Sequence, residues 1–177
     1  MKRAVFLDRD GVIIRTDVRH GRPYAITSLD ALAVLDGAGD AIQRLKTAGF
    51  MTIVVSNQPD VAAGKVSRDV VEAINAELME TLAIDQIKTC FDSTAPCYKP
   101  EPGMLLEAAG EHDITLDRSY MVGDRWRDIG AGKAAGCQTI FIDKGYSEQA
   151  PDNPDRVVQS LAEAADLILS LTDKGNE

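Results

Sequence analysis

The chain has 177 residues, enough for one domain that buries a core of its own. Hydrophobic residues make up 45% and charged residues 27%, close to the average for soluble globular proteins, which disfavours a disordered or membrane-embedded chain. The 28 acidic and 19 basic residues give a net charge of -9, which would repel a polyanion, so nucleic acid is not expected as a partner. We expect a single domain over residues 1–177.

The N-terminus and the cysteines indicate the compartment. The apolar stretch 4–7 meets the charged residues Asp8, Arg9 and Asp10 too early for a secretory signal, and no later apolar stretch is long enough to span a bilayer. The chain has three cysteines, which is an odd number, and we find no secretory signal that would take them to an oxidising compartment. We therefore expect a cytoplasmic protein whose cysteines, Cys90, Cys97 and Cys137, are reduced thiols.

In chain order, short apolar runs alternate with amphipathic segments. Strands are predicted at 4–7, 51–55, 87–91, 120–122 and 139–142. Helices are predicted at 38–48, at 68–82 after the N-cap Ser67, after Pro102, at 126–135 and at 161–171. The segment 15–28 has no sustained period and predicts a loop or a small hairpin. The alternation predicts an α/β fold, a doubly wound parallel sheet with helices on both faces in three layers.

Two carboxylates follow the first predicted strand. Ligands bind outside the carboxyl ends of such strands, and here Asp8 and Asp10 lie two residues apart, with Gly11 permitting a tight turn. Carboxylate oxygens suit Mg²⁺, which needs only one or two protein carboxylates together with a substrate phosphate. A solvated acidic turn is the alternative interpretation.

Two further groups of polar residues, one at the end of the second predicted strand and one around Lys99, are suited to binding phosphate. Ser56 and Asn57 end the second predicted strand, although such a pair more often reflects ordinary turn chemistry. Lys99 lies in a stiff segment before Pro100, where a fixed ammonium could neutralise phosphate and nucleophile alike. A solvated lysine before a helix is the alternative.

The fourth group is acidic. Asp124 directly follows the strand at 120–122 and can join Asp8 and Asp10. If the next helix begins near Trp126, Asp128 lies in its first turn, where a carboxylate favours the helix dipole and can also face the metal site through water.

Taken in order, these four blocks resemble the four signature motifs of the haloacid dehalogenase superfamily. Within it, Asp8-Arg9-Asp10-Gly11-Val12, Ser56-Asn57-Gln58, Lys99-Pro100-Glu101-Pro102-Gly103-Met104 and Gly123-Asp124 with Asp128 are most similar to the heptose bisphosphate and histidinol phosphate phosphatases.

The resemblance implies a two-step phosphatase reaction. Asp8 would attack phosphorus to form an aspartyl phosphate, and Asp10 would protonate the leaving oxygen and then deprotonate water. Mg²⁺ would be held by Asp8, the backbone carbonyl of Asp10 and Asp124. The residues implied to bind the transferring phosphoryl group are Ser56, Asn57 and Lys99.

Strands and helices already use most of the intervals between these motifs, so no folded cap domain is expected. The segment 15–28 could still form a short flap over the site, with Tyr24 and Arg19 or Arg22 available to touch substrate. A solvated hairpin is the alternative.

The chain departs from the resemblance before Lys99. Many relatives carry a zinc loop of three cysteines and a histidine there, whereas this chain has only Cys90 and Cys97, which do not close a tetrahedral site. We expect a shortened loop without zinc. Tyr98 stands where relatives tend to have arginine, and we expect it to contact the part of the substrate remote from the transferred phosphate.

The substrate is expected to be a small phosphorylated metabolite, first a sugar bisphosphate such as D-glycero-D-manno-heptose 1,7-bisphosphate and otherwise histidinol phosphate or another phosphomonoester. A non-catalytic phosphoacceptor domain of the receiver type is the alternative from another class. A nucleic-acid 3′-phosphatase is disfavoured by the charge of -9. We expect a monomer with no membrane partner.

Overall fold

A computed structural model describes residues 1–174 of the chain. The strands are β1 (Arg3–Leu7), β2 (Asp17–Arg19), β3 (Arg22–Tyr24), β4 (Phe50–Asn57), β5 (Gln86–Cys90), β6 (Tyr120–Gly123), β7 (Gln138–Ile142) and β8 (Arg156–Val158). The helices are α1 (Ala38–Thr47), α2 (Arg68–Thr81), α3 (Gly103–His112), α4 (Trp126–Ala135) and α5 (Leu161–Lys174). Short 3₁₀ helices cover Leu29–Ala31 and Leu116–Arg118.

Six strands form one sheet in the order β5-β4-β1-β6-β7-β8, and every neighbouring pair is parallel. The crossovers between these strands place helices on both faces, which confirms the predicted three-layer doubly wound fold. β2 and β3 form a separate antiparallel hairpin. Of the predicted loop or small hairpin at 15–28, the structure therefore shows the hairpin.

β1 lies in the middle of the sheet and divides the core into two halves. Its alternate residues Val5 and Leu7 belong to a cluster that contains the buried faces of α1, α2 and α5. Ala4 and Phe6 belong to a second cluster with α3 and α4. All four side chains are fully buried, as the period of two along a strand requires when both faces of the sheet are covered.

Local signals fixed the helix ends well. The Ser67 hydroxyl accepts a hydrogen bond from the Val70 amide at 3.3 Å and caps α2, and α4 covers the predicted range and ends at Gly136, whose φ of 84° is the left-handed conformation of a C-cap. Across residues 1–174, no helix combines the length and the apolar character that a membrane crossing would need.

The sequence interpretation missed β8. It has only three residues, Arg156–Val158, and two valines are too short an apolar run to reveal a strand. Asp155, just before it, attaches this edge of the sheet by accepting hydrogen bonds from the Thr139 amide and hydroxyl at 2.7 and 2.8 Å.

The prediction of three reduced cysteines is wrong for two of them. Cys90 and Cys97 form a disulfide, because the turn after β5 brings their Cα atoms to 5.7 Å, within the usual range for a disulfide. Neither sulfur is then a thiolate available to a metal. Cys137 is free and buried, and burial raises the pKa of its thiol to about 12.

Two helical glycines give opposite predictions for stability. A Cβ at Gly132 in α4 would lie 2.6 Å from the Met121 Cβ and 2.8 Å from the Thr139 Cγ2 of the sheet, so Gly132→Ala should lower the free energy of unfolding by about 1–3 kcal/mol. Gly110 in α3 is exposed with nothing near its Cβ position, so Gly110→Ala should raise it by about 0.5–1 kcal/mol. Urea unfolding measures both, and equal effects at the two positions would contradict the close packing of α4 on the sheet.

Candidate active site

Three neighbouring strands deliver their polar ends to one edge of the sheet. Asp8 follows β1, Ser56 and Asn57 end β4, and Asp124 follows β6. Because β1 lies between β4 and β6, these residues meet, and the Asp8 amide is tied to the Val122 carbonyl at 3.0 Å. Lys99 enters from the loop between β5 and α3. The structure thus brings the four predicted groups together.

Lys99 is the central charge of the site. Its side chain is almost fully buried, and Nζ donates to Asp8 Oδ1 at 2.9 Å, to Asp128 Oδ1 at 2.6 Å and to the Val55 carbonyl at 2.7 Å. Burial alone would lower the pKa of this ammonium, but the charges of Asp128 and Asp8 outweigh it and raise the pKa above its ordinary value. Lys99 therefore stays charged.

Asp128 connects the start of α4 to the charged centre, and its predicted place in the first helical turn is confirmed. It lies in the first turn of α4, where Oδ2 accepts a hydrogen bond from the Arg125 amide at 3.0 Å, while Oδ1 faces Lys99. Burial, together with the charge of Asp8, raises the pKa of Asp128 to about 6, although Lys99 opposes the shift. The side chain joins the helix start to the charged centre.

Asp124 is the least compensated carboxylate. Its Oδ2 accepts a hydrogen bond from the Tyr146 hydroxyl at 2.8 Å, but Oδ1 is buried and has no hydrogen-bond partner. Burial raises the pKa of Asp124 well above its usual range, and the negative charges of Asp8 and Asp128 raise it further. Burial and Asp124 in turn raise the pKa of Tyr146, so its hydroxyl remains a donor.

The donor set fits a hard divalent cation. Asp8, Asp124 and Asp128 each offer a carboxylate oxygen, and these atoms lie within 4.8 Å of one another. Lys99 supplies one positive charge against three carboxylates, and the buried Oδ1 of Asp124 is left without a partner. Oxygen ligands of this kind suit Mg²⁺. The predicted Asp8 and Asp124 belong to this cluster, whereas the Asp10 side chain lies outside it.

Asp10 is held beside the cluster by two neighbours. The guanidinium of Arg9, which is fully buried, donates to both Asp10 oxygens at 3.2 and 3.3 Å and to Asn75 Oδ1 at 2.9 Å. Gln58 Nε2 donates to Asp10 Oδ2 at 2.8 Å and also to Ser56 Oγ at 2.8 Å. Asp10 thus has a fixed orientation, and its side chain reaches solvent through the cavity described below.

Asn57 lines the cavity described below and also holds the backbone of Lys99, while its predicted contact with phosphate stays a prediction. Its amide nitrogen donates to the Lys99 carbonyl and its amide oxygen accepts from the Lys99 amide, both at 3.0 Å. With both polar atoms engaged, the side chain fixes the backbone of Lys99 against β4. Ser56 is almost fully buried beneath the cavity, with its hydroxyl proton still free to donate.

Gly11 makes room for the cluster. Its φ of 86° is unfavourable for other residues, and a Cβ there would lie 2.0 Å from Asp124 Oδ2. The predicted tight turn is confirmed, and the structure adds a second reason for glycine at this position.

A cavity of about 270 Å³ opens above Asp8 and Lys99. The hairpin side contributes Pro23 and Tyr24, and Tyr98 lines the cavity from the loop before Lys99. Tyr24 thus lies at the cavity as the flap prediction requires, and its contact with substrate stays a prediction. Arg19 and Arg22 do not line the cavity. The Arg19 guanidinium lies over the Tyr24 ring at 4.3 Å and forms an ion pair with Asp17.

Two arginines of the fourth block also line this cavity, and they differ in their partners. Arg125 forms a two-pronged ion pair with Glu148. Arg127 lies over the Trp126 ring at 4.6 Å, and it has no salt bridge among the described residues. Arg127 is therefore the less neutralised of the two.

Sequence reasoning assigned no role to several residues that complete the site: Arg9, Gln58, Arg127, Tyr146 and Glu148. The first three lie inside or next to the recognised blocks, so their positions carried a signal. Tyr146 and Glu148 follow β7 in an irregular segment, and only the fold brings them to Asp124 and Arg125.

Comparison with known proteins gives concordant results. The family described as HAD-hydrolase-like matches residues 96–164. The D-glycero-D-manno-heptose-1,7-bisphosphate 7-phosphatase of Thermosynechococcus vestitus is 34% identical over 93% of this chain and 94% of its own length. The corresponding enzyme named for the β-anomer in Pasteurella multocida is 34% identical over 97% and 99%.

A solved structure is similar over the same extent. The D,D-heptose 1,7-bisphosphate phosphatase from B. bronchiseptica, complexed with magnesium and phosphate, superposes with a TM-score of 0.80 at 29% identity, over 96% of this chain and 99% of that one.

The cluster predicts that Asp124 weakens the metal-free fold. Asp124→Asn removes one of three crowded negative charges while keeping an acceptor for Tyr146, so in chelator above neutral pH it should raise the free energy of unfolding by about 1 kcal/mol. Asp155→Asn is the matched control and should lower it, because the hydrogen bonds from Thr139 lower the pKa of Asp155 and the fold therefore favours its charged form. Urea unfolding compares them, and an Asp124→Asn protein less stable than wild type would contradict the electrostatic account.

Proposed function

The chain belongs to the heptose-1,7-bisphosphate 7-phosphatase family of the haloacid dehalogenase-like hydrolases, and on that premise we propose that it removes the 7-phosphate of D-glycero-D-manno-heptose 1,7-bisphosphate. It is a phosphatase, a hydrolase of phosphoric monoesters. In our proposal the reaction requires Mg²⁺ and proceeds through an aspartyl phosphate on Asp8.

The observation that carries the proposal is the contact between Lys99 Nζ and Asp8 Oδ1 at 2.9 Å on the floor of the cavity. The contact holds one carboxylate oxygen of Asp8 and leaves the other free. It also supplies a positive charge where a phosphoryl group would meet the nucleophile. Positioning and charge neutralisation of this kind provide most of the catalysis in phosphoryl transfer.

The first step needs a nucleophile and an acid. A carboxylate oxygen of Asp8 attacks phosphorus, the bond from phosphorus to the ester oxygen breaks, and Asp10 gives its proton to the leaving sugar oxygen. Arg9 and Gln58 hold the Asp10 carboxyl in place for this transfer. Ser56 is the candidate donor to the phosphoryl oxygens, with Lys99 as the fixed charge.

The second step regenerates the enzyme. Asp10, now a carboxylate, takes a proton from a water molecule that attacks phosphorus, and the bond between phosphorus and the Asp8 oxygen breaks. Inorganic phosphate leaves, while Asp8 is again a carboxylate and Asp10 is again protonated. Protons and bonds therefore balance over the cycle.

Asp8 and Asp124, with the Asp10 carbonyl that the family resemblance implies, would hold Mg²⁺. The bound cation would neutralise charge on the transferring phosphoryl group. Asp128 shares the cluster but is engaged by Lys99 and the start of α4, so its proposed task is to keep Lys99 in place.

A bisphosphate brings a second anion that needs a partner away from Asp8. Among the cavity-lining cations, Lys99 contacts two carboxylates and Arg125 pairs with Glu148, whereas Arg127 has no salt bridge among the described residues. Arg127 is the proposed partner of the remote phosphate. Tyr98 lines the same cavity and is the proposed contact to the sugar.

The other functions considered have less support. Histidinol phosphate carries no second phosphate and would leave Arg127 without an anion. A receiver-type domain without turnover does not agree with relatives that are phosphatases over nearly the whole chain.

Asp8→Asn should abolish phosphate release from heptose bisphosphate in the presence of Mg²⁺, because an amide cannot act as the nucleophile. The protein should still fold, because the Lys99 ammonium keeps its hydrogen bonds to Asp128 and to the Val55 carbonyl. A colorimetric phosphate assay with a circular dichroism check measures both. More than about a tenth of wild-type activity would exclude Asp8 as the nucleophile.

Asp10→Asn provides the matched comparison. It should lose most of its kcat/KM on the sugar, with a smaller loss of kcat/KM on 4-nitrophenyl phosphate, because kcat/KM reports the first step and this leaving group needs no proton there. Equal losses on the two substrates would count against Asp10 as the acid.

The remote-phosphate proposal predicts a selective loss. Arg127→Gln should raise KM for heptose 1,7-bisphosphate about tenfold but should hardly affect KM for heptose 7-phosphate, which lacks the second anion.

Tyr98→Ala should raise KM several-fold for both sugars while hardly changing the rate on 4-nitrophenyl phosphate.

Arg118→Gln, outside the cavity, is the control for loss of a positive charge. Steady-state kinetics on the three substrates provide the measurement. Equal slowing of Arg127→Gln on all three substrates would mean that Arg127 supports the fold or binds the transferred phosphoryl group. Wild-type protein that does not hydrolyse the bisphosphate would refute the proposed substrate but not the phosphatase mechanism.

A further inference from the structure

Tyr146 lies outside all four sequence blocks, yet it contacts a residue of the proposed metal site. It follows β7 in the segment before β8, and its hydroxyl donates to Asp124 Oδ2 at 2.8 Å. We propose that Tyr146 is a positioning residue that turns the other oxygen of Asp124 toward the metal. This inference rests on the Mg²⁺ requirement of the proposed function.

The partners of the three clustered carboxylates differ. Asp8 and Asp128 each contact the Lys99 ammonium, whereas Asp124 has only the neutral hydroxyl of Tyr146. Asp124 Oδ1 is buried without a partner, and a carboxylate oxygen of Asp124 lies within 4.8 Å of the ligand atoms of the other two. Tyr146 thus holds one oxygen of Asp124, while the other is left without a partner and can serve a cation.

Gly11 restricts the same carboxylate from another side. A Cβ at Gly11 would lie 2.0 Å from Asp124 Oδ2 and 2.9 Å from the Tyr146 hydroxyl, so backbone and hydroxyl pack directly around this oxygen. Rotating the carboxylate would break the Tyr146 hydrogen bond without offering Oδ2 an equivalent donor. The carboxylate is therefore held with Oδ2 against Tyr146 and Gly11.

Tyr146 also forms part of the wall of a second cavity of about 260 Å³, on the side of the flap base, with Arg15 and Lys144 among its lining residues. Replacement by phenylalanine keeps the ring in this wall and removes only the hydroxyl, so this change tests the hydrogen bonding of the hydroxyl without opening the cavity wall.

Hydrogen-bond donors to metal-ligating carboxylates typically change metal affinity by about 10–100-fold when they are removed. Tyr146→Phe should therefore weaken Mg²⁺ binding to the phosphatase about tenfold, measured by isothermal titration calorimetry without substrate. In the activity assay the Mg²⁺ concentration for half-maximal rate should rise by a similar factor, while kcat at saturating Mg²⁺ stays within about threefold of wild type.

Tyr120→Phe is the matched control, because Tyr120 lies at the start of β6, at the opposite end of the strand from Asp124. It should leave the Mg²⁺ dissociation constant unchanged. Equal Mg²⁺ affinity in wild type and Tyr146→Phe would overturn the positioning role, as would a loss of kcat that saturating Mg²⁺ does not restore. Wild-type protein that binds no Mg²⁺ would instead refute the proposed metal requirement on which the inference rests.

Discussion

The buried ammonium of Lys99 is the interaction on which the rest of the site depends. Its acceptors come from three separate parts of the chain: Asp8 after β1, the Val55 carbonyl in β4 and Asp128 in the first turn of α4. An ammonium buried without these partners would carry a large desolvation cost, and the two carboxylates would repel each other without the ammonium. Lys99 therefore links the helix to the sheet, and the three partners stabilise its buried charge.

The chain holds Lys99 in place from both sides. Asn57 at the end of β4 forms two hydrogen bonds with the Lys99 backbone, and the Cys90–Cys97 disulfide closes the preceding loop onto the end of β5. The Gln58 amide adds a bond to the Cys90 carbonyl at 2.8 Å. A charge held this rigidly needs little reorganisation when a phosphoryl group arrives, which is the condition for strong electrostatic catalysis.

The parts of the site that follow strands could be predicted from the sequence, because an apolar run ending in a carboxylate is a local pattern; Asp8 and Asp124 are the examples. The partners of these residues could not. Tyr146 reaches Asp124 only because β7 lies beside β6, and the bonds of Asn57 to Lys99 depend on a loop path that no periodicity encodes. The pairing of Cys97 likewise depends on Cα geometry after folding, which an odd count of cysteines does not reveal.

The most direct test of the central claim, that Asp8 carries the phosphoryl group, uses Asp10→Asn protein mixed rapidly with 4-nitrophenyl phosphate and Mg²⁺. The first step needs no acid for this leaving group, whereas the second step lacks its base, so the intermediate should accumulate. We predict a burst of about one equivalent of nitrophenol, and peptide mass spectrometry after acid quench should find the added phosphoryl group on Asp8. A burst with the phosphoryl group on another residue, or turnover without a burst and with Asp8 unmodified at every quench time, would contradict the account.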